Sequence, residues 1–140
     1  MAVPAPPATP APAAWIATAA DDVFTIETPV ASAPGKNPHS WAAAVSDELA
    51  YLFMYLSVPK AADRLDGAVK TITDSMRSIE HVEPVTIQGR PGRRIAATTP
   101  AGRPAVEVFI ADGDRLFMLQ VIGEAPPGDV ERFLTSFRIR

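Results

Sequence analysis

VTIQGRPGRRIAATTPAGRPAVEVFIADGDRLFMLQVIGEAPPGDVERFLTSF, residues 85 to 137, is the stretch whose reading decides the fold. Val85 and Ile87 alternate with Thr86 and Gln88, the period of a strand with one buried face. Gly89-Arg90-Pro91-Gly92 supplies two permissive glycines and a proline of locked φ, which predicts a turn over those four residues. Arg93 to Thr99 resumes the extended pattern and Pro100-Ala101-Gly102 ends it. Ala105 to Ala111 is rich in β-branched and aromatic residues, and the Asp112-Gly113 that follows is a strong hairpin signal. Arg115 to Gly123 is apolar at both alternating sets of positions, as expected of a central strand covered on both faces. After Pro126-Pro127-Gly128, the residues Val130, Phe133, Leu134 and Phe137 recur at the spacing of one helical face. Three antiparallel strands and a short closing helix result.

Working toward the N-terminus, Lys60 to Glu80 reads as one long helix. Leu65, Val69, Ile72, Met76 and Ile79 make a continuous apolar stripe, with Lys70, Thr73, Asp74 and Arg77 on the other face. Gly67 inside it suggests close approach to a sheet, and Pro84 should stop the next strand from extending backward. Leu49 to Val58 (LAYLFMYLSV) is apolar on both faces and pairs with Trp41 to Val45 around Ser46-Asp47-Glu48. Residues 31 to 39 read as a loop, Val23 to Thr28 as a strand after the turn Asp21-Asp22, and Trp15 to Thr18 as a short edge strand. The expected fold class is α+β: an antiparallel sheet of six or seven strands between helices, one long (60–80) and one at the C-terminus.

The chain has 140 residues, 47% hydrophobic and 21% charged, a composition suited to one globular domain. The net charge of −3, with both signs dispersed, points away from nucleic acid and from a polybasic membrane contact. The absence of cysteine excludes disulfides, thiolate catalysis and cysteine-held metals. No apolar run is long enough to span a bilayer. Residues 1 to 14 (MAVPAPPATPAPAA) form a Pro/Ala linker that could extend roughly 40 Å at about 3.1 Å per residue. It lacks the basic start and apolar core of a secretory signal. The expectation is a tether left from a longer exported or lipid-anchored precursor, followed by a single domain over 15–140. The tether places the domain outside the cytoplasm, in the periplasm or cell envelope; the alternative is an ordinary disordered N-terminus of a cytosolic protein.

The order VFTIETP, a strand pair ending at Pro59, the 60–80 helix, then GRPGR at 89–93, RLFML at 115–119 and FLTSF at 133–137 resembles the PsbP-like family over residues 21–140. That family groups an extrinsic photosystem II subunit, Ran-binding relatives and bacterial exported proteins and lipoproteins. The resemblance, which is to the bacterial members, implies a central antiparallel sheet with helices on both faces. It also implies protein binding rather than catalysis. No segment matches the photosystem-binding or Ran-binding surfaces.

Candidate sites are few. His39 falls in a loop and His81 at the expected helix end, where it would cap the helix dipole; their separation does not suit a shared metal. Ser46-Asp47-Glu48 and Asp112-Gly113-Asp114 are explained by turns, without calcium. No histidine–nucleophile pair marks a hydrolase, so the chain reads as non-enzymatic, without cofactor or metal. Two binding candidates remain. Arg90, Arg93 and Arg94 could hold an anion or a partner's carboxylate, or simply be solvated. Tyr51, Phe53 and Tyr55 share one face of their strand and are either core or the lining of a groove for an apolar ligand. A closed core with an exposed apolar patch near a sheet edge would favour binding to another protein. An open cavity lined by those rings would favour a carrier of a small apolar or anionic ligand.

Overall fold

The computed structural model describes residues 14–140; the linker expected over residues 1–14 therefore lies, but for Ala14, outside the described residues. The elements run β1 (Ile16–Ala20), β2 (Phe24–Thr28), β3 (Ala33–Pro34), β4 (Ser40–Ser46), β5 (Leu49–Ser57), a 3-10 turn (Ala61–Arg64), α1 (Leu65–Ser75), β6 (Ser78–Ile87), β7 (Arg90–Thr98), β8 (Pro104–Asp112), β9 (Arg115–Ile122), α2 (Asp129–Ser136) and β10 (Arg138–Ile139). Seven strands form one antiparallel sheet in the order β3-β4-β5-β9-β8-β7-β6. The RLFMLQVI strand, β9, is its middle member, as its two apolar faces require.

Two cores follow from the alternation of side chains. On one face Tyr51, Phe53, Val108, Ile110, Phe117, Leu119 and Val121 meet Phe24, Ile26, Phe133 and Phe137. On the other, Ile95, Ala97, Phe109, Ala111 and Leu116 meet Ala61 and Leu65, with Val69, Ile72 and Met76 half-buried beside them. The first face is covered by α2 together with a separate three-stranded sheet, β1-β2-β10. The expected edge strand near Trp15 therefore exists, but it belongs to this second sheet. The covering layers are thus one helix on one side, and a helix plus a small sheet on the other.

The expected 60–80 helix is shorter than its apolar stripe. It opens as a 3-10 turn behind Lys60, which sits at φ 51, and the α-helix ends at Ser75. Met76 is extended, and Ser78 and Ile79 pair with Thr98 and Ala97. Helical and strand readings of this end compete because Ile79 faces the same core side in either state, so sheet pairing decides. His81 consequently caps no helix: it lies in β6, with Nε2 3.1 Å from Glu83 Oε2. Nor does Pro84 end the strand. β6 runs through it at the edge of the sheet, where a missing N–H interrupts no ladder. The turn expected over Gly89–Gly92 is only Gln88-Gly89, with φ of 52° and 78°, the type I′ geometry whose twist suits a two-residue hairpin. Arg90, Pro91 and Gly92 are already strand β7; a Cβ on Gly92 would collide with the Phe109 carbonyl of β8. The loop expected over 31–39 also contributes the two-residue strand β3.

Gly67 does not serve close packing, since a Cβ there would meet nothing within 4 Å. Gly67→Ala should therefore raise stability by about 0.5–1 kcal/mol through helix propensity and a less mobile unfolded chain. Urea unfolding tests this: an unchanged or lower midpoint would show that the glycine has a role its surroundings do not reveal.

Candidate functional site

The three aromatic candidates lie on one face of β5, as their alternate positions require. Tyr51 is 0%, Phe53 1% and Tyr55 7% exposed. They are core. Phe53 stacks 5.7 Å from Trp41, Tyr51 meets Phe133 edge-on at 5.1 Å, and Phe24 from the second sheet stands within 6.2 Å of Phe53, Tyr55 and Phe117. The Tyr51 hydroxyl has no hydrogen-bond partner among the described residues, and burial, aided by Asp129, pushes its ionisation up to about 12. Tyr55 keeps a polar outlet: its hydroxyl donates to Asp21 Oδ2 at 2.8 Å.

The same Asp21 oxygen lies 2.8 Å from His39 Nδ1, and the His39 ring lies over Tyr55 at 4.6 Å. Asp21 and His39 both have positive φ, at 51° and 58°. The bonds from His39 and Tyr55 hold the Asp21 carboxyl below its usual range. Sequence reading missed this cluster because its members come from three elements separated by 18 and 34 residues. It ties the β1–β2 turn to β5 and the loop before β4. Its hydrogen bonds act as a latch between the sheets.

The arginines do not converge. Arg93 and Arg94 are successive strand residues and so project to opposite faces. Arg93 reaches Asp66 of α1 at 3.3 Å, and Arg94 reaches Glu131 of α2 at 2.6 Å. Arg90 Nε lies 3.1 Å from Asp112 Oδ1, close enough for an ion pair but out of line for a hydrogen bond. Each guanidinium fastens a different element to β7, and no common anion site results. Arg94 does border a groove of about 410 Å³ between α2 and the β6–β7 hairpin, floored by Val85, Ile87 and Leu134.

The α1 face shows a different arrangement. The helix crosses β7 and β8 and leaves both flanks of that face uncovered. On the β6 flank, Ile79 is 39% and Val82 41% exposed. On the β5 flank a cleft of about 270 Å³ is lined by Lys36, Leu52, Met54, Met118 and Gln120. Gln120 Nε2 donates to Glu107 Oε1, while Glu107 Oε2, fully buried, has no partner among the described residues. Burial pushes the Glu107 carboxyl up to about 7, against the weaker lowering effect of the Gln120 bond. The signal for this pair was present in AVEVFIA, where one acid interrupts an otherwise apolar strand. Among the described residues, no group of three or more His, Asp or Glu side chains could share a metal, and no helix is long and apolar enough to cross a membrane.

The fold as a whole has a counterpart among solved structures. The solution structure of cyanobacterial PsbP (CyanoP) from Synechocystis sp. PCC 6803 matches with a TM-score of 0.63, over 91% of this chain and 94% of that one, at 12% identity. The chain has the PsbP-like fold. A Pseudomonas aeruginosa protein of unknown function is similar at a TM-score of 0.44 and 12% identity, over 84% of this chain and 86% of its own. No family model and no curated protein sequence matches.

Proposed function

We propose that the protein is a non-enzymatic binding domain that engages another protein through the apolar flank beside β6. The observation that supports this reading is the pairing of a closed aromatic core with exposed Ile79 and Val82 at the sheet edge. Half-buried Ile72 and Met76 extend the same surface along the end of α1. A protein exposing such side chains together gains by covering them. Main-chain strand addition is the weaker mode, because Pro84 lacks a donor and the register shifts between Ile79 and His81. In this reading the Pro/Ala segment tethers the domain at an extracytoplasmic surface.

The test compares the full chain with an Ile79→Asp/Val82→Asp variant in crosslinked pull-downs from the native envelope and soluble fractions, followed by binding measurements with the purified partner. Both positions are well exposed, so the variant should keep its melting temperature. It should bind the partner at least about tenfold more weakly, since two apolar anchors are lost. A partner bound equally well by both proteins would place the surface elsewhere.

A further inference from the structure

The cleft on the other flank of α1 has features that protein docking at β6 does not use. Leu52 and Met54 of β5 and Met118 of β9 give it an apolar floor, and Gly35, Lys36 and Asn37 give it a wall with one cation. Gln120 closes its inner side. Pairing across the sheet sets Leu52, Gln120 and Glu107 in one row, with Ile95 beyond. Glu107 is 1% exposed, and its second carboxyl oxygen has no partner among the described residues. Leaving such an atom unpartnered is costly, and an apolar residue would serve the packing better.

The amide of Gln120 has a donor end and an acceptor end, and Glu107 can take either. An ionised Glu107 accepts from Gln120 Nε2 and leaves the Gln120 Oε1 for the cleft. A protonated Glu107 donates its O–H to the Gln120 Oε1, and the turned amide then offers Nε2–H to the cleft. We propose that the cleft binds a small aliphatic carboxylate, its chain over Leu52, Met54 and Met118 and its head on Lys36 and Gln120, and that protonation of Glu107 strengthens this binding by presenting the amide donor.

The ordinary range of a glutamate would leave Glu107 ionised at neutral pH, but burial raises it to about 7, so both forms are populated there. The charged groups on this side of the sheet do not compete. Arg93 is held by Asp66, Lys70 pairs with Asp74 on the outer side of α1, Arg77 lies beside Gly102, and Lys36 stands over the cleft. None of them bonds to Glu107.

The test is a titration of the full chain, labelled at its methionine methyl groups, with octanoate and with octylamine at pH 6 and pH 8. Octanoate should shift Met54 and Met118 saturably and leave Met76 unmoved. It should bind about tenfold tighter at pH 6, the worth of one hydrogen bond gained. Octylamine should not share that preference. Glu107→Gln should bind octanoate equally at both pH values, and Ile79→Asp/Val82→Asp should bind it as the wild type does, which separates the cleft from the partner surface. Absence of saturable shifts at Met54 and Met118 would overturn the proposal. So would equal affinity of the wild type at the two pH values, or a tighter fit of octylamine at pH 6.

Discussion

Phe24→Ala should destabilise the protein by about 3–5 kcal/mol, a large share of the roughly 5–15 kcal/mol that holds a domain of this kind together. Phe24 is fully buried and comes from β2 in the small sheet. Its ring lies 5.2 Å from Phe137, 5.5 Å from Phe117, 5.9 Å from Phe53, and 6.2 Å from Trp41 and Tyr55, mostly edge to face. These separations lie in the range where aromatic pairs gain beyond their area. Its strand neighbours on both sides, Ala20 and Ile139, leave no mobile segment to fill the space. Truncation therefore leaves a cavity between the sheets and removes the contact that seats β1-β2-β10 on the seven-stranded sheet. Urea unfolding measures the loss. A cost below about 1 kcal/mol would mean that the small sheet collapses onto the gap.

Glu107→Gln should stabilise the protein at pH 8 by about 3 kcal/mol and leave it nearly unchanged near pH 4.5. The carboxyl titrates at about 7 in the folded protein against 4.5 when solvated. The folded state therefore binds the proton more tightly than the unfolded state. Full stability is present below about 4.5, is lost progressively as pH rises toward 7, and stays lost above that. Glutamine keeps the shape and the bond to Gln120 while removing the charge, so the variant escapes the loss. Thermal melts of both proteins from pH 4.5 to 8 give the result: curves converging at low pH and separated by roughly 10 °C at pH 8. Parallel curves would show that Glu107 is hydrated in solution and ordinary in its titration. Asp21 acts at the opposite end. Its lowered carboxyl contributes stability that disappears as pH falls below the usual carboxylate range, when the His39 and Tyr55 bonds lose their charged acceptor.

Much of this architecture could be read from local pattern. The β7–β8–β9 meander, the β4–β5 hairpin and the C-terminal helix each carry a period of two or 3.6 with turn residues at the boundaries, and each was found close to its expected place. The alternation of Tyr51, Phe53 and Tyr55 fixed that they share a face, but not what lies over it. That was decided by Phe24 and Phe137, distant in sequence and brought in by the small sheet and the chain's end. The arginines illustrate the opposite outcome. Adjacent in sequence, Arg93 and Arg94 are separated by the sheet itself, because the strand begins at Arg90 and successive residues alternate sides.

The length of α1 shows where local information stops. The stripe from Leu65 to Ile79 satisfies a helix over its whole length, yet the chain leaves the helix after Ser75 because β7 offers Ser78 and Ile79 a strand to pair with. By itself the sequence determined the class of fold, the central strand and the sharing of one face by Tyr51, Phe53 and Tyr55, since side-chain period and turn chemistry are local properties. Only the tertiary structure decided the separate three-stranded sheet, the Asp21–His39–Tyr55 latch, the bare flanks beside α1 and the unpaired oxygen of Glu107. Each of these depends on which distant segments come to lie together, and backbone pairing across the sheets, rather than local preference, settles that.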